Sequence, residues 1–228
     1  MPSSEFGREV RRVKISTRGI LNNGDIAAIG VGSMIIFIAM ITTAGIAASV
    51  FIQTMGGLEQ QALSTADDVI KDVSSGLKVT QISGYHDGST ISQLAIQITP
   101  LSGSSALDLN EAYISLSDSS TQNILSYDNT CYSNNVSDGI FGTVDSSNLS
   151  NSEFGIMKIR DIDNSCSSTN PVINEDDLFV LMVNTTSCFS GLDTRTDVEG
   201  NVIPEYGIRG VISFTTPSVY TQTIIGLQ

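Results

Sequence analysis

The chain has 228 residues, a net charge of −13 and a pI of about 4.2. This length allows one ordinary domain plus an additional element. This negative charge argues against nucleic acid as a partner, because a protein needs a basic face to bind phosphates. The charge is unevenly placed: residues 1–24 hold five of the eleven Lys and Arg, whereas the remainder has six basic and twenty-two acidic residues. A short basic leader therefore precedes a long acidic body.

An apolar segment follows the leader. Ile26 to Ile52 contains twenty-seven residues without a charge, and a helix of roughly 20 residues crosses the hydrocarbon core of a bilayer. The basic flank predicts a cytoplasmic N-terminus and an external body. A secretory signal has an apolar region of only about 7–15 residues. Cleavage near Ala48 is therefore disfavoured, and a retained helix is predicted.

The apolar pattern continues beyond this segment along one helical face. Its members recur at steps of three and four residues: Met55, Leu58, Ala62, Ala66, Val69, Val73 and Leu77. One long helix is predicted from about Ile26 to Leu77, with Gly56-Gly57 as a place where it can bend. A plain membrane anchor needs no amphipathic extension, whereas a helix that packs against copies of itself does. Small residues in the first half also permit close packing between helices.

Beyond Val79 the pattern changes to period two. Six segments rich in β-branched and aromatic residues are predicted strands: 91–99, 111–117, 154–160, 177–186, 206–216 and 218–227. Turn-forming clusters separate them. The predicted fold class is therefore α+β, with a long N-terminal hydrophobic helix over 25–78 followed by an antiparallel, Ig-like β-sandwich over 79–228.

The body contains three cysteines and three Asn-x-Ser/Thr triplets. Cys131, Cys166 and Cys188 permit at most one disulfide, and the sequence leaves open which pair forms it or whether all three are buried thiols. The triplets begin at Asn135, Asn148 and Asn184 and predict N-glycosylation in an external protein. Since Asn184 lies in a predicted strand, its side chain would have to face solvent.

Residues 161–165, "DIDNS", begin like a calcium-binding loop. Cys166 stands where an EF-hand needs glycine and Val172 where it needs glutamate, which excludes that motif. A looser site for a structural divalent cation is one hypothesis, and a solvated acidic turn is the other. The candidate ligands are Asp161 and Asp163, with Asp176 or Asp177 as a third.

Catalysis has little support in this sequence. His86 is the single histidine, and a histidine base needs an oriented partner. We therefore predict that the protein is not an enzyme and requires no cofactor beyond the hypothetical cation.

Both ends of the chain resemble the archaellins, the archaeal flagellins built on a type IV pilin-like plan. The segments that carry the resemblance are "GVGSMIIFIAM" (30–40), "AGIAASVFIQT" (44–54), "LEQQALSTADDVIKDVSSGLKV" (58–79) and "PEYGIRGVISFTTPSVYTQTIIGLQ" (204–228). The resemblance implies a structural subunit of an extracellular motility filament that assembles with copies of itself. An adhesive type IV-like pilus subunit and a singly membrane-anchored surface binding protein are the alternatives.

The resemblance also implies a class III leader, which a prepilin-type peptidase removes after a glycine. The membrane-inserted precursor would then pass to a filament-assembly platform. Cleavage between Gly24 and Asp25 is favoured because it lies closest to the apolar segment. Cleavage between Gly19 and Ile20 is the alternative, because Arg18 supplies the basic residue that usually precedes the glycine.

Overall fold

A computed structural model describes residues 23–144 and 148–228 of the chain. The alternative cleavage site, Gly19–Ile20, lies outside the described residues. The chain divides into two compact units, 1–62 and 63–228, and each is described by itself.

The predicted long helix is present as α1, Asn23–Ser74. Its first part belongs to the N-terminal unit, and its last turns belong to the unit that begins at Leu63. Gly56 and Gly57 lie within α1, which continues through both. Good helix formers around the two glycines offset their cost of about 1 kcal/mol each relative to alanine.

The helix ends three residues earlier than predicted, at a junction formed by Ser75, Gly76 and Leu77. The Ser75 carbonyl accepts a hydrogen bond from the Ile208 amide at 2.9 Å, and the Leu77 amide donates to the Ile208 carbonyl at 2.9 Å. A Cβ added at Gly76 would lie 2.6 Å from the same Ile208 carbonyl oxygen. The chain therefore leaves the helix where its backbone passes directly against another segment, which only glycine allows.

Leu77 does not belong to the helical stripe in which it was predicted. It is the first residue of a strand and is 2 % exposed, in the core of the β-domain. Its spacing from Val73 fits a helical face, but the hydrogen bonds to Ile208 place it in the sheet instead.

Eleven strands and two short helices follow α1 in the described residues. Their bounds are β1 (Leu77–His86), β2 (Ile91–Pro100), β3 (Leu107–Asp108), β4 (Tyr113–Ser117), β5 (Gln122–Ser133), α2 (Gly139–Thr143), β6 (Glu153–Arg160), β7 (Val172–Ile173), β8 (Leu178–Asn184), α3 (Thr185–Phe189), β9 (Asp197–Ile203), β10 (Gly210–Thr215) and β11 (Ile224–Gly226). The prediction missed β1, β5, β9 and the two-residue strands β3 and β7, and the segment predicted over 218–227 is a strand only in β11.

Nine of these strands form one sheet in the order β10-β9-β4-β5-β6-β8-β2-β1-β11, and β3 pairs with β7. All neighbours are antiparallel except β5 and β6, which are parallel. The sheet curves so that the start of β10 returns to the start of β1, where Gly210 lies against Val79. The expected long helix followed by a mostly antiparallel β-domain is confirmed. The layers of the expected sandwich belong to one continuous sheet.

The main core lies inside this curved sheet, and a smaller cluster covers the opposite face of its central strands. In β8, Phe179 and Leu181 belong to the main core, whereas Val180 and Met182 belong to the smaller cluster. A strand that is buried on both faces has an unbroken apolar sequence, which explains "LFVLMV". The smaller cluster packs under Ile140 and Phe141 of the segment that contains α2.

Candidate functional site: the exposed helix, the acidic cluster and the sequons

The apolar half of α1 is exposed in the single chain. Its large side chains from Ile29 to Ile52 range in exposure from 53 % at Val50 to 71 % at Ile52. By length and composition, Ala27–Ser74 contains a segment able to cross a membrane. A monomeric soluble protein rarely exposes a continuous apolar surface of this kind. The surface therefore has to be covered by lipid or by other protein.

The polar side chains within this apolar half are already satisfied by the helix itself. The hydroxyls of Ser33, Thr42, Thr43, Ser49 and Thr54 each donate to a carbonyl three or four residues earlier, at 2.8–3.0 Å. Such local hydrogen bonds are typical of Ser and Thr in helices that lie in apolar surroundings. The half consequently presents methyl and methylene groups with no hydroxyl in need of an external partner.

The amphipathic half retains most of the predicted stripe. Met55, Leu58, Ala62, Ala66, Val69 and Val73 are all exposed. Two large apolar residues lie beside the stripe, outside its three-four spacing: Leu63 is 60 % exposed and Ile70 is 62 % exposed. They widen the stripe into a broad apolar face of the kind that packs between helices.

The favoured cleavage site lies at the start of this helix. Gly24 and Asp25 belong to the first turn of α1, and Gly24 is exposed. Processing at this bond stays a prediction.

The predicted cation ligands come together in the β-domain. Asp161 and Asp163 follow β6, and Asp177 precedes β8; one carboxylate oxygen from each lies within 4.8 Å of the others. Of the two alternatives for the third ligand, it is Asp177 that joins the pair. Asp176 instead uses its backbone carbonyl to accept from Arg160 Nε at 2.6 Å. We refer to the three carboxylates as the acidic cluster.

Burial makes the acidic cluster electrostatically strained. Asp177 is fully buried, and its two oxygens accept from the amides of Ile162 and Asn174. Burial, and then the neighbouring charges of Asp161 and Asp163, raise the pKa of the Asp177 carboxyl above its ordinary value. Asp163 behaves oppositely: hydrogen bonds from Ser165 and Asn174 lower the pKa of its carboxyl.

Lys158 compensates only part of this charge. Its Nζ lies 3.0 Å from Asp161 Oδ2, and the Asp161 side chain is fully buried. Three ionised carboxylates and one ammonium leave a net charge of −2 at the cluster. Hard divalent cations prefer oxygen ligands of this type, so the donor set suits such an ion.

The three sequon asparagines lie in different surroundings. Asn135 and Asn148 are exposed, as a glycan acceptor must be. Asn184 is 8 % exposed; its Oδ1 accepts from the Ser187 amide as the N-cap of α3, and its Nδ2 donates to the Leu149 carbonyl at 3.2 Å. That nitrogen is the atom to which a glycan would be attached, so the Asn184 side chain does not face solvent as the prediction of glycosylation there requires.

The disulfide that the sequence leaves possible among Cys131, Cys166 and Cys188 is not formed in the structure. Cys166 Sγ lies 3.5 Å from the Tyr132 hydroxyl in the main core, whereas Cys131 belongs to the smaller cluster on the other face of the sheet. Cys188 Sγ is 3.9 Å from the Asn151 carbonyl, and burial raises the pKa of its thiol to about 11. A thiol with a raised pKa is a poor nucleophile at neutral pH.

His86 has a structural role. Its Nδ1 lies 3.2 Å from the Thr90 carbonyl, and its ring lies 4.6 Å from that of Tyr220. These contacts orient the ring at the end of β1.

An exposed apolar helix followed by a mostly antiparallel β-domain matches a known family plan. The family model for archaeal-type flagellin matches residues 27–214. The chain belongs to the archaeal-type flagellins.

Individual relatives agree with this assignment. Flagellin B2 of Methanocaldococcus jannaschii is 43 % identical over 209 residues, which cover 90 % of this chain and 96 % of the relative. Flagellin B1 of Methanococcus voltae is 37 % identical over 212 residues, covering 88 % and 94 %. These relatives are structural proteins.

Two solved structures share the fold. The crystal structure of archaeal flagellin FlaB1 from Methanocaldococcus jannaschii matches with a TM-score of 0.62 and 37 % identity, covering 68 % of this chain and 97 % of that one. The archaeal flagellum of Methanospirillum hungatei strain JF1 also matches with a TM-score of 0.62, covering 87 % and 98 %, at 14 % identity. The second likeness concerns the fold alone.

Proposed function

We propose that this chain is the repeating structural subunit of an extracellular archaeal motility filament, in which copies of α1 pack together as the core. The observation that carries the proposal is the continuous exposure of the apolar helix. The β-domain then forms the outer layer. The filament transmits force generated by other proteins, and the subunit itself performs no chemistry.

The free energy of burying the apolar half of α1 favours assembly over a soluble monomer. Thirteen large apolar side chains between Ile29 and Ile52 are exposed in the single chain. Burying each one is worth about 1.5–3 kcal/mol, so together they contribute on the order of 20 kcal/mol or more. Association costs roughly 4–15 kcal/mol in lost freedom of motion. The balance leaves little free monomer between a membrane-inserted precursor and the assembled filament.

The route to the filament follows from the same helix. We infer that the precursor inserts in the membrane with its basic leader inside the cell. A prepilin-type peptidase then cleaves between Gly24 and Asp25, and an assembly platform adds the mature subunit to the filament. Retention of the apolar segment after cleavage is what distinguishes this route from secretion.

The acidic cluster is proposed to hold one divalent cation such as Ca²⁺. Its oxygens would come from Asp161, Asp163 and Asp177, with the remaining positions open to water or carbonyl groups. The ion would neutralise the net charge of −2 and tie the loop after β6 to the start of β8. Its role is to stabilise the β-domain.

Removing the helix tests the proposed function. A fragment beginning at Leu63 keeps the junction at Ser75 to Leu77, whereas a cut at Lys78 would take Leu77 out of the core. We expect the 63–228 fragment to be soluble, folded and monomeric in sedimentation experiments and to form no filaments in electron micrographs. Native-looking filaments from this fragment would show that α1 is not the core.

A charge placed on the apolar face is a sharper test. Val69→Asp together with Val73→Asp buries two unpaired charges between packed helices, which is strongly unfavourable. The matched control, Gln60→Glu with Ser64→Glu, adds the same charge on the opposite side of the helix. We expect membrane insertion of both variants but filaments only from the control. Normal assembly of the aspartate variant would mean that the face is turned to solvent.

A further inference from the structure

The exposed sequon at Asn135 lies on an ordered turn after β5. The Ser133 hydroxyl donates to the Asn135 carbonyl at 2.9 Å. The amide of Ser137, the third residue of the sequon, donates to the Thr143 hydroxyl at 3.1 Å. Both ends of the triplet are therefore held, while the Asn135 side chain is exposed. A glycan attached here would leave the protein in a defined direction.

A depression of about 690 Å³ begins at this asparagine. Asn135 lines it together with Lys158, Ile159, Arg160, Asp161 and Asn164. It is an open, mostly polar depression of the surface and not an enclosed pocket. The lining is mixed: Asn164 offers an amide for sugar hydroxyls, and Ile159, which is 39 % exposed, offers an apolar patch for the C–H face of a pyranose ring.

The charges in the depression differ in how they are compensated. Lys158 is paired with Asp161 at 3.0 Å. The guanidinium of Arg160 donates from Nε to the Asp176 carbonyl at 2.6 Å. Arg160 also borders a second depression, beside Glu175, Asp176 and Asp177, but among the described residues no carboxylate lies within salt-bridge distance of its guanidinium. Its remaining N–H groups form a planar fork, which matches a carboxylate in geometry and charge.

We propose that the Asn135 glycan folds back into this depression, with an acidic sugar unit on Arg160. The amide linkage at Asn135 fixes one end of the saccharide at the rim, so the contact with Arg160 is intramolecular. An intramolecular contact benefits from a high effective concentration and needs little intrinsic affinity. The glycan is thereby part of the surface of the β-domain, covering Ile159 and giving the guanidinium of Arg160 a carboxylate partner in addition to the Asp176 carbonyl.

The test uses protein purified from cells that carry out glycosylation, and compares the wild type with Asn135→Gln and with Ser137→Ala. Peptide mass spectrometry first measures the mass added at Asn135. Phenylglyoxal, which modifies arginine, then reports how accessible Arg160 is, with exposed Arg209 on β10's N-terminal side as the internal reference. One charge-assisted hydrogen bond held by a tether predicts about tenfold slower modification of Arg160 in the wild type than in either variant.

Controls separate this proposal from the filament function. Asn148→Gln removes the other exposed sequon and should leave the slow modification of Arg160 unchanged. Arg209 should react at one rate in every protein. An unmodified Asn135 overturns the proposal, as do equal Arg160 rates in wild type and Asn135→Gln. Filaments are imaged for each variant in parallel, so a failed glycan contact with normal filaments leaves the assembly proposal intact.

Discussion

Substitution of Gly76 by alanine probes how tightly the helix is joined to the sheet. The new Cβ would lie 2.6 Å from the Ile208 carbonyl oxygen and 2.8 Å from its amide nitrogen. Both atoms belong to the backbone, so a rotation of a side chain cannot relieve the overlap. The two segments have to separate.

The expected cost comes from two contributions. Forcing extra volume into a packed site costs about 1–3 kcal/mol. Separation also weakens the hydrogen bonds that Ile208 makes with Ser75 and Leu77, each worth about 1 kcal/mol net. We therefore expect Gly76→Ala to lower the free energy of unfolding by about 3 kcal/mol. For a domain of 150–250 residues, this corresponds to a fall in Tm of about 6–12 °C.

The measurement is thermal and urea unfolding of the 63–228 fragment, followed by circular dichroism. Gly226→Ala is the matched control, because a Cβ at Gly226 meets nothing within 4 Å; its effect should stay within about 0.5 kcal/mol. If Gly76→Ala proves as mild as this control, the close contact with Ile208 does not hold the junction, and the reasoning fails.

Three further predictions concern the other sites. Burial raises the pKa of Asp177 above its unfolded value, so the metal-free native state binds a proton more tightly than the unfolded state does, and its stability falls as the pH rises from the ordinary to the raised pKa. Ca²⁺ should therefore raise Tm more at pH 7 than at pH 4. An equal rise in Tm at both pH values would contradict the cation site. Asn184→Ala removes an N-cap and a buried hydrogen bond and should cost about 1–2 kcal/mol in urea unfolding, whereas Asn135→Gln should be close to neutral in unglycosylated protein. Mass spectrometry of filaments should find a mature N-terminus at Asp25; intact Met1 in assembled material would exclude processing after Gly24.

The long helix could be predicted from the sequence because hydropathy and three-four spacing both extend over many turns. Its end could not, since Leu77 continues the spacing and a single apolar residue fits a helix or a strand equally well. What ends the helix is the approach of Ile208, which lies far away in sequence. A contact between segments that are distant in sequence does not change the periodicity of apolar residues along either segment.

The same reasoning applies to the β-domain sites. The acidic residues after β6 were visible as a short motif, but the choice between Asp176 and Asp177 depended on which one the turn before β8 points inward. Asn184 is the last residue of β8, as the apolar pattern predicts, but its capping role depends on α3 beginning at the next residue. Glycosylation motifs specify a triplet and carry no information about burial.

The hydroxyls inside the apolar half of α1 have a consequence for how a subunit changes surroundings. Because Ser33, Ser49 and Thr54 each satisfy their donor within the helix, moving α1 from lipid to a bundle of helices breaks and forms no hydrogen bond of theirs. The free energy of that exchange then depends on shape: how closely neighbouring side chains fit, compared with how well lipid chains fill the same grooves. A helix of this kind can pass from the membrane to a helix bundle while all of these hydroxyl hydrogen bonds stay in place.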